Sequence, residues 1–272
     1  MFGPPRLVRH AVKTPLWRGA PLTLAVLSDL HVVAPWASLA ALRRVVAQVN
    51  ALGPDLVAIP GDFLADPKIP GRRPPIDKIV AVLEGLTAPL GVHTTLGNHD
   101  WADDPEARAT RGASNGVARA LGASALHFYS NRAQRIPRAG GDIYVVGVES
   151  SVGEGSTRRP RRRDNLSSAM AELPASADVI LLAHEPDLWV EQRPFAALTV
   201  SGHTHAGQIV LAGRRPLTPS RYGARFAHGH FEEDDRHLVV SAGLGYTGVP
   251  IRIGAPREIT LVRLSPAIDP SG

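Results

Sequence analysis

The sequence predicts a single α/β domain built from two packed sheets. Three observations carry this. Short apolar runs alternate with helical spacings in the first half, β-branched runs dominate the second half, and no Gly/Ser linker or fixed-period repeat divides the chain. At 272 residues the chain is long enough to bury a substantial core.

Leu22 to Ser28 is an apolar run that reads as a buried strand. Leu39, Leu42, Val46 and Val49 then recur on amphipathic helical spacing. Pro54 interrupts, and Leu56 to Pro60 reads as a second strand. Ile76, Ile79, Val80, Leu83 and Leu86 mark a second helix, and Val92 to Leu96 a third strand. This βαβαβ order predicts a parallel sheet with helices on its face. Further on, Ile143–Val148, Val179–Ala183, Leu198–Ser201, Gln208–Leu211, Leu238–Ala242 and Ile259–Leu264 read as strands, with a short helix over Asn165–Leu173. Residues 1–21 read as an N-terminal extension and residues 22–272 as the domain.

The apolar fraction of 44% and charged fraction of 20% are ordinary for a globular protein, and 26 Gly with 24 Pro imply many loops. The absence of cysteine excludes disulfides, zinc–thiolate sites and a cysteine nucleophile. The net charge of +5 is concentrated at Arg158-Arg159-Pro160-Arg161-Arg162-Arg163. That run suits a solvated loop, or attraction to phosphate groups or an anionic membrane surface. It has no interleaved aromatics to stack bases, which argues against a nucleic-acid partner. No stretch approaches the ~18 apolar residues of a membrane span. The first 21 residues lack the apolar core of a secretory signal. The expected location is cytoplasmic, with peripheral contact at the inner membrane left open.

Five short blocks follow apolar runs: Asp29-Leu30-His31, Gly61-Asp62, Gly97-Asn98-His99-Asp100, His184, and Gly202-His203-Thr204-His205. Ligands of α/β sheets gather at the carboxyl ends of strands, where these blocks fall. Hard oxygen donors together with imidazoles are what divalent ions take. Residues two apart in an extended segment point the same way, so Asp29 and His31 can share one ion, as can His203 and His205. The Asp62 carboxylate has two oxygens and can bridge two ions.

The blocks resemble the calcineurin-like metallophosphoesterases, whose pattern is D-x-H, G-D, G-N-H-D/E, H and G-H-x-H. The resemblance spans roughly residues 22 to 264, with every motif residue present. The run Ser201 to Ile209, Gly243-Leu244-Gly245 and Pro250-Ile251-Arg252 look like a bacterial branch of small phosphodiesterases and pyrophosphohydrolases, including enzymes that cleave UDP-2,3-diacylglucosamine. The resemblance implies a four-layer αββα sandwich with two mixed β-sheets. It implies that Asp29, His31 and His205 hold one metal, that Asn98, His184 and His203 hold a second, and that Asp62 bridges them. The cofactors would be two divalent ions from among Mn, Fe, Zn, Co and Ni, sharing a hydroxide that attacks phosphorus in line with the leaving oxygen. His99 would be the catalytic residue that is not a ligand, and Asp100 reads either as the carboxylate that orients it or as a helix N-cap or turn residue.

The expected substrate is a phosphorylated small molecule or a nucleotide-linked lipid. A nuclease or cyclic-nucleotide phosphodiesterase is the alternative on the same scaffold, and a non-catalytic binding scaffold would predict eroded ligands. Trp36 and Trp101 read as loop packing or as a wall for an acyl chain or base. Arg252 reads as a substrate-phosphate contact or a surface salt bridge. His228 and His230 read as surface residues.

Overall fold

The computed structural model describes residues 3–152, 162–191 and 195–267. The first sheet begins with β1 (Arg6–Thr14) and β2 (Leu22–Val26), continues through β3 (Leu56–Ile59) and β4 (Val92–Thr94), and ends at the short β5 (His127–Phe128). The second holds β6 (Arg132–Ile136), β7 (Ile143–Gly147), β8 (Asp178–Leu182), β9 (Leu198–Ser201), β10 (Gly229–Glu233) and β11 (Arg236–Val240). The last strand, β12 (Glu258–Pro266), returns to the first sheet between β1 and β2. The orders are β1-β12-β2-β3-β4-β5 and β10-β11-β9-β8-β7-β6, and both sheets are mixed.

Alternation along the strands builds the layers. On β2, Leu24 and Val26 face the second sheet and pack with Val145, Ile180, Leu198 and Val239. Ala25 and Leu27 face the other way, into a core with α1 (Leu39–Leu52) and α2 (Ile76–Leu83). Three short helices follow: α3 (Asn98–Ala102), α4 (Pro105–Thr110) and α5 (Gly116–Gly122). On the far side, α6 (Leu166–Met170) lies over the second sheet, where Val146, Val179 and Leu181 pack with Ala169. Leu188 of α7 (Asp187–Glu191) joins that cluster. The result is a four-layer αββα sandwich, as the motif resemblance implied.

Local signals explain the longest helix. Ser38 accepts the Ala41 N–H at 3.2 Å as N-cap, and Gly53 ends α1 with φ 59°. Two expectations need correction. Residues 1–21 are not merely an extension, because β1 pairs in parallel with β12 from Arg6↔Glu258 to Thr14↔Pro266. Gln208–Leu211 is not a strand: Gly207 (φ 77°) and Gln208 (φ 50°) turn the chain into a loop that makes only isolated bridges.

On β4, one strand in from the edge of the first sheet, His93 is buried between Tyr129 and Leu90. Its Nε2–H donates to Leu90 O at 2.8 Å, and Nδ1 lies 2.8 Å from the Tyr129 hydroxyl. Burial pushes its pKa down to about 4, partly offset by the bond to Leu90, with the stacked His127 ring 4.8 Å away adding to the depression. The unfolded chain binds this proton near pH 6.5, so stability falls as pH drops from there towards about 4. The full window is worth about 3 kcal/mol. Urea unfolding at pH 7 and pH 4.5 is expected to show a steeper loss for the native chain than for His93→Gln. Equal losses would overturn this account.

Candidate metal centre

Asp29 and His31 follow β2, Asp62 follows β3, and Asn98 opens α3 just beyond β4. From the second sheet, His184 follows β8, while His203 and His205 follow β9. The two sheets therefore bring their carboxyl-end loops to one place. Close approach needs glycine. A Cβ on Gly202 would lie 1.7 Å from Ser28 Oγ and 2.2 Å from Asp29 Oδ2, and one on Gly97 2.2 Å from Asp62 Oδ1.

All seven residues named from the sequence meet here. His205 Nε2 lies 3.3 Å from Asp29 Oδ1 and 3.2 Å from His31 Nε2. Asp62 Oδ2 lies 3.4 Å from His31 Nε2 and 3.1 Å from His184 Nε2. Asn98 Oδ1 is 2.8 Å from His203 Nδ1. Asp29, His31, Asp62, His184 and His205 are buried. Asp29, His31, Asp62, His203 and His205 also take left-handed φ between 39° and 68°. Such backbone costs roughly 1–3 kcal/mol per residue and gathers at functional sites.

Tautomers test whether a cation fits. His31 Nδ1 is 2.6 Å from Leu64 O, and His184 Nδ1 is 2.7 Å from Pro60 O. A carbonyl only accepts, so each Nδ1 carries a proton and each neutral ring aims its Nε2 lone pair at Asp62. Acceptor facing acceptor in a buried cluster calls for a proton or a metal ion between them. In the metal-free chain burial opposes charge on His184, but the Asp62 carboxylate overrides it and raises His184 well above the usual histidine value. The same group pulls Asp62 well below the carboxylate range against the penalty of burial. The donor set fits divalent ions. His205 differs: Arg252 approaches its Nδ1 at 3.0 Å as a donor, so a cation at Nε2 must displace a proton.

His99 stands at the edge of the cluster, its ring 4.9 Å from that of His31, and its N–H donates to Asp62 Oδ1 at 2.9 Å. Its orienting partner is Asp103, whose Oδ2 lies 2.5 Å from His99 Nδ1. Of its two readings, Asp100 takes the turn role: it accepts the backbone N–H groups of Asp62, Phe63, Leu64 and Gly97 at 2.8–3.1 Å, and so shapes the loops. Burial opposes charge on His99, but Asp62 and Asp103 outweigh it and raise its pKa to about 9. Glu185 was also missed from the sequence. It clusters with His184 and His203 and is held by Ser150 Oγ at 2.5 Å and Ser151 N–H at 2.8 Å.

A cleft of about 550 Å³ opens over the centre, with Asp62, Asn98, His99, His203 and His205 on its floor and Ile209, Leu217 and Val249 on its wall. Neither tryptophan lines it. Trp36 donates to Pro70 O, and Trp101 donates to Glu149 under the Arg163 guanidinium. Arg252 reaches neither the cleft nor a carboxylate; it donates to Gly245 O and His205. His228 and His230 are half-buried rather than superficial, paired with Glu258 and His237. Arg158 to Arg161 lie outside the described residues, while Arg162 pairs with Asp164 and Glu191.

The sandwich and this donor set define a metallophosphoesterase domain. The chain belongs to the calcineurin-like phosphoesterase family, whose profile matches residues 22–207. It is 32% identical over 253 residues to a transmembrane protein with metallophosphoesterase domain from Danio rerio, covering 90% of this chain and 54% of that protein. It is 29% identical over 239 residues to the uncharacterized metallophosphoesterase YkuE of Bacillus subtilis, covering 87% and 77%. A Bos taurus protein described like the Danio rerio one is 30% identical, with 94% and 56% covered. The chain thus spans about half the length of the two vertebrate relatives, and its similarity is not confined to bacteria. Among the described residues no helix is long and apolar enough to cross a membrane.

Proposed function

We propose that this protein is a two-metal phosphohydrolase that cleaves phosphodiester or pyrophosphate bonds. One observation carries the reading: the Nε2 lone pairs of His31 and His184 are fixed by carbonyl-bonded Nδ1 protons and converge on one carboxylate, Asp62. Asp29, His31 and His205 would hold one ion, Asn98, His184 and His203 the other, and Asp62 both. When bound, the two ions would supply Lewis-acid polarisation of phosphoryl oxygens and a water of lowered pKa.

The chain's own residues do the rest. His99 donates Nδ1–H to Asp103 and keeps a proton at Nε2 for the leaving oxygen. The Asp103 carboxylate helps hold that proton, and would be the counterweight to a cation bound nearby. The apolar wall suits a nucleotide-linked lipid, met in the cytoplasm or at the inner membrane face.

Protein prepared with manganese is expected to retain about two ions per chain and to hydrolyse bis-p-nitrophenyl phosphate. Release of UMP from UDP-2,3-diacylglucosamine would support the lipid-linked substrate. Metal-loaded protein inert towards every phosphoester would sink the enzymatic reading.

A further inference from the structure

The described residues expose a group of large apolar side chains: Leu211, Leu217, Val249, Ile251 and Ile253, each at least 43% accessible. All lie on two loops, 209–219 and 247–254. The loops are tied together by Val210 N–H to Ile253 O at 2.8 Å, Ile253 N–H to Gln208 O at 3.0 Å, and the Gln208 amide on Thr247 and Val249. Scattered exposed apolar residues are ordinary, but a group confined to two joined loops marks an interaction surface. Two of them, Leu217 and Val249, also form the wall of the cleft above the metal centre.

The exposed charges named beside this patch are positive, while Asp66, the carboxylate bonded to the second loop, is buried and accepts from Thr247 Oγ1 at 3.1 Å and Gly248 N–H at 2.7 Å. Lys68 is exposed and lines the same cleft, and Arg214 is exposed on the first loop. Neither has a carboxylate partner among the described residues. Arg162, Arg221 and Arg225, by contrast, are each paired with an acid of this chain. Apolar side chains flanked by exposed cations match the interface of an anionic bilayer, where the one set enters the acyl boundary and the other meets headgroup phosphates. A second copy of the chain fits less well, because a two-fold contact through this patch would bring its basic groups against each other.

We propose that loops 209–219 and 247–254 dock the protein on an anionic lipid surface and set the mouth of the cleft against the headgroup layer. Resting on the phosphohydrolase reading, the substrate is then a membrane-resident amphiphile. Its phosphate reaches the floor of the cleft while its apolar part keeps to the wall formed by Ile209, Leu217 and Val249.

The test is flotation of the manganese-loaded 272-residue chain with vesicles of phosphatidylglycerol and phosphatidylcholine, and with phosphatidylcholine alone. Binding is expected only with the anionic lipid. It should be lost in the Leu211→Asp/Ile251→Asp double variant, and Arg214→Gln should weaken it about fivefold. The double variant should still hydrolyse bis-p-nitrophenyl phosphate, since neither residue lines the cleft. No flotation, equal flotation on neutral vesicles, or unchanged flotation of the double variant would overturn the proposal. So would a dimer that the double variant dissolves in the absence of flotation. Loss of ester hydrolysis in the native protein would count against the phosphohydrolase reading alone, because flotation is scored without it.

Discussion

Asp62→Asn is expected to lower phosphodiester hydrolysis by about 10³-fold while leaving the fold intact. The substitution keeps the side chain's volume and its acceptor for the His99 N–H. It replaces Oδ2 with an amide nitrogen at the point where His31 Nε2 and His184 Nε2 converge, 3.4 Å and 3.1 Å away. That nitrogen carries two N–H donors, one for each converging lone pair, so the variant satisfies the cluster without a cation. Two measurements follow. Metal content should fall, and the melting temperature in a chelator should be no lower than that of the chelated native chain. Turnover retained near the native level would remove Asp62 from the bridging position.

His99→Ala is expected to keep bound metal and lose rate by about 10²–10⁴-fold. A ring nitrogen of His99 lies within 4.8 Å of donor atoms of His31 and Asp62, but its Nδ1 is committed to Asp103. Loss of metal with the rate would make it a ligand instead. Asp103→Asn separates a positioning role from a structural one. An amide oxygen can still accept from Nδ1–H, but the negative charge that helps hold the His99 proton is gone. A general acid works protonated, so its activity falls as pH rises through its pKa. Lowering that pKa should move the alkaline limb of the kcat profile to lower pH, with KM little changed. A uniform fall in rate with an unmoved limb would make Asp103 a packing residue.

The parts of the molecule legible in sequence are those where one periodicity acts alone. α1 and α2 show their apolar stripe, and β2, β3 and β8 are buried on both faces and read as unbroken apolar runs. The metal donors stand out because each block closely follows a short buried strand. β1 escapes a sequence reading because it is an edge strand whose side chains are exposed or half-buried, with only Val12 and Thr14 buried. Its place depends on β12, more than 240 residues away in sequence. In sequence Asp100 offers itself as a partner because it stands next to His99, and Asp103 does not. On a helix, however, successive side chains diverge, and the residue four positions on shares a face. The Gln208–Leu211 run has strand composition, but the turn at Gly207 decides its path.

The candidate donors come from both sheets: Asp29, His31, Asp62 and Asn98 from one, His184, His203 and His205 from the other. Direct bonds cross the same seam, among them His184 Nδ1 to Pro60 O, the His203 backbone N–H to Asp29, and His203 Nδ1 to Asn98 Oδ1. A cation held there would bind only when the sheets are in register, so its affinity and the packing of the sandwich would be reciprocally coupled. A substitution such as Val145→Ala, in the layer between the sheets and far along the chain from any donor, would then surface as weaker cation retention before it surfaced as unfolding. Ion affinity would serve as a gauge of how well the two halves of the core fit.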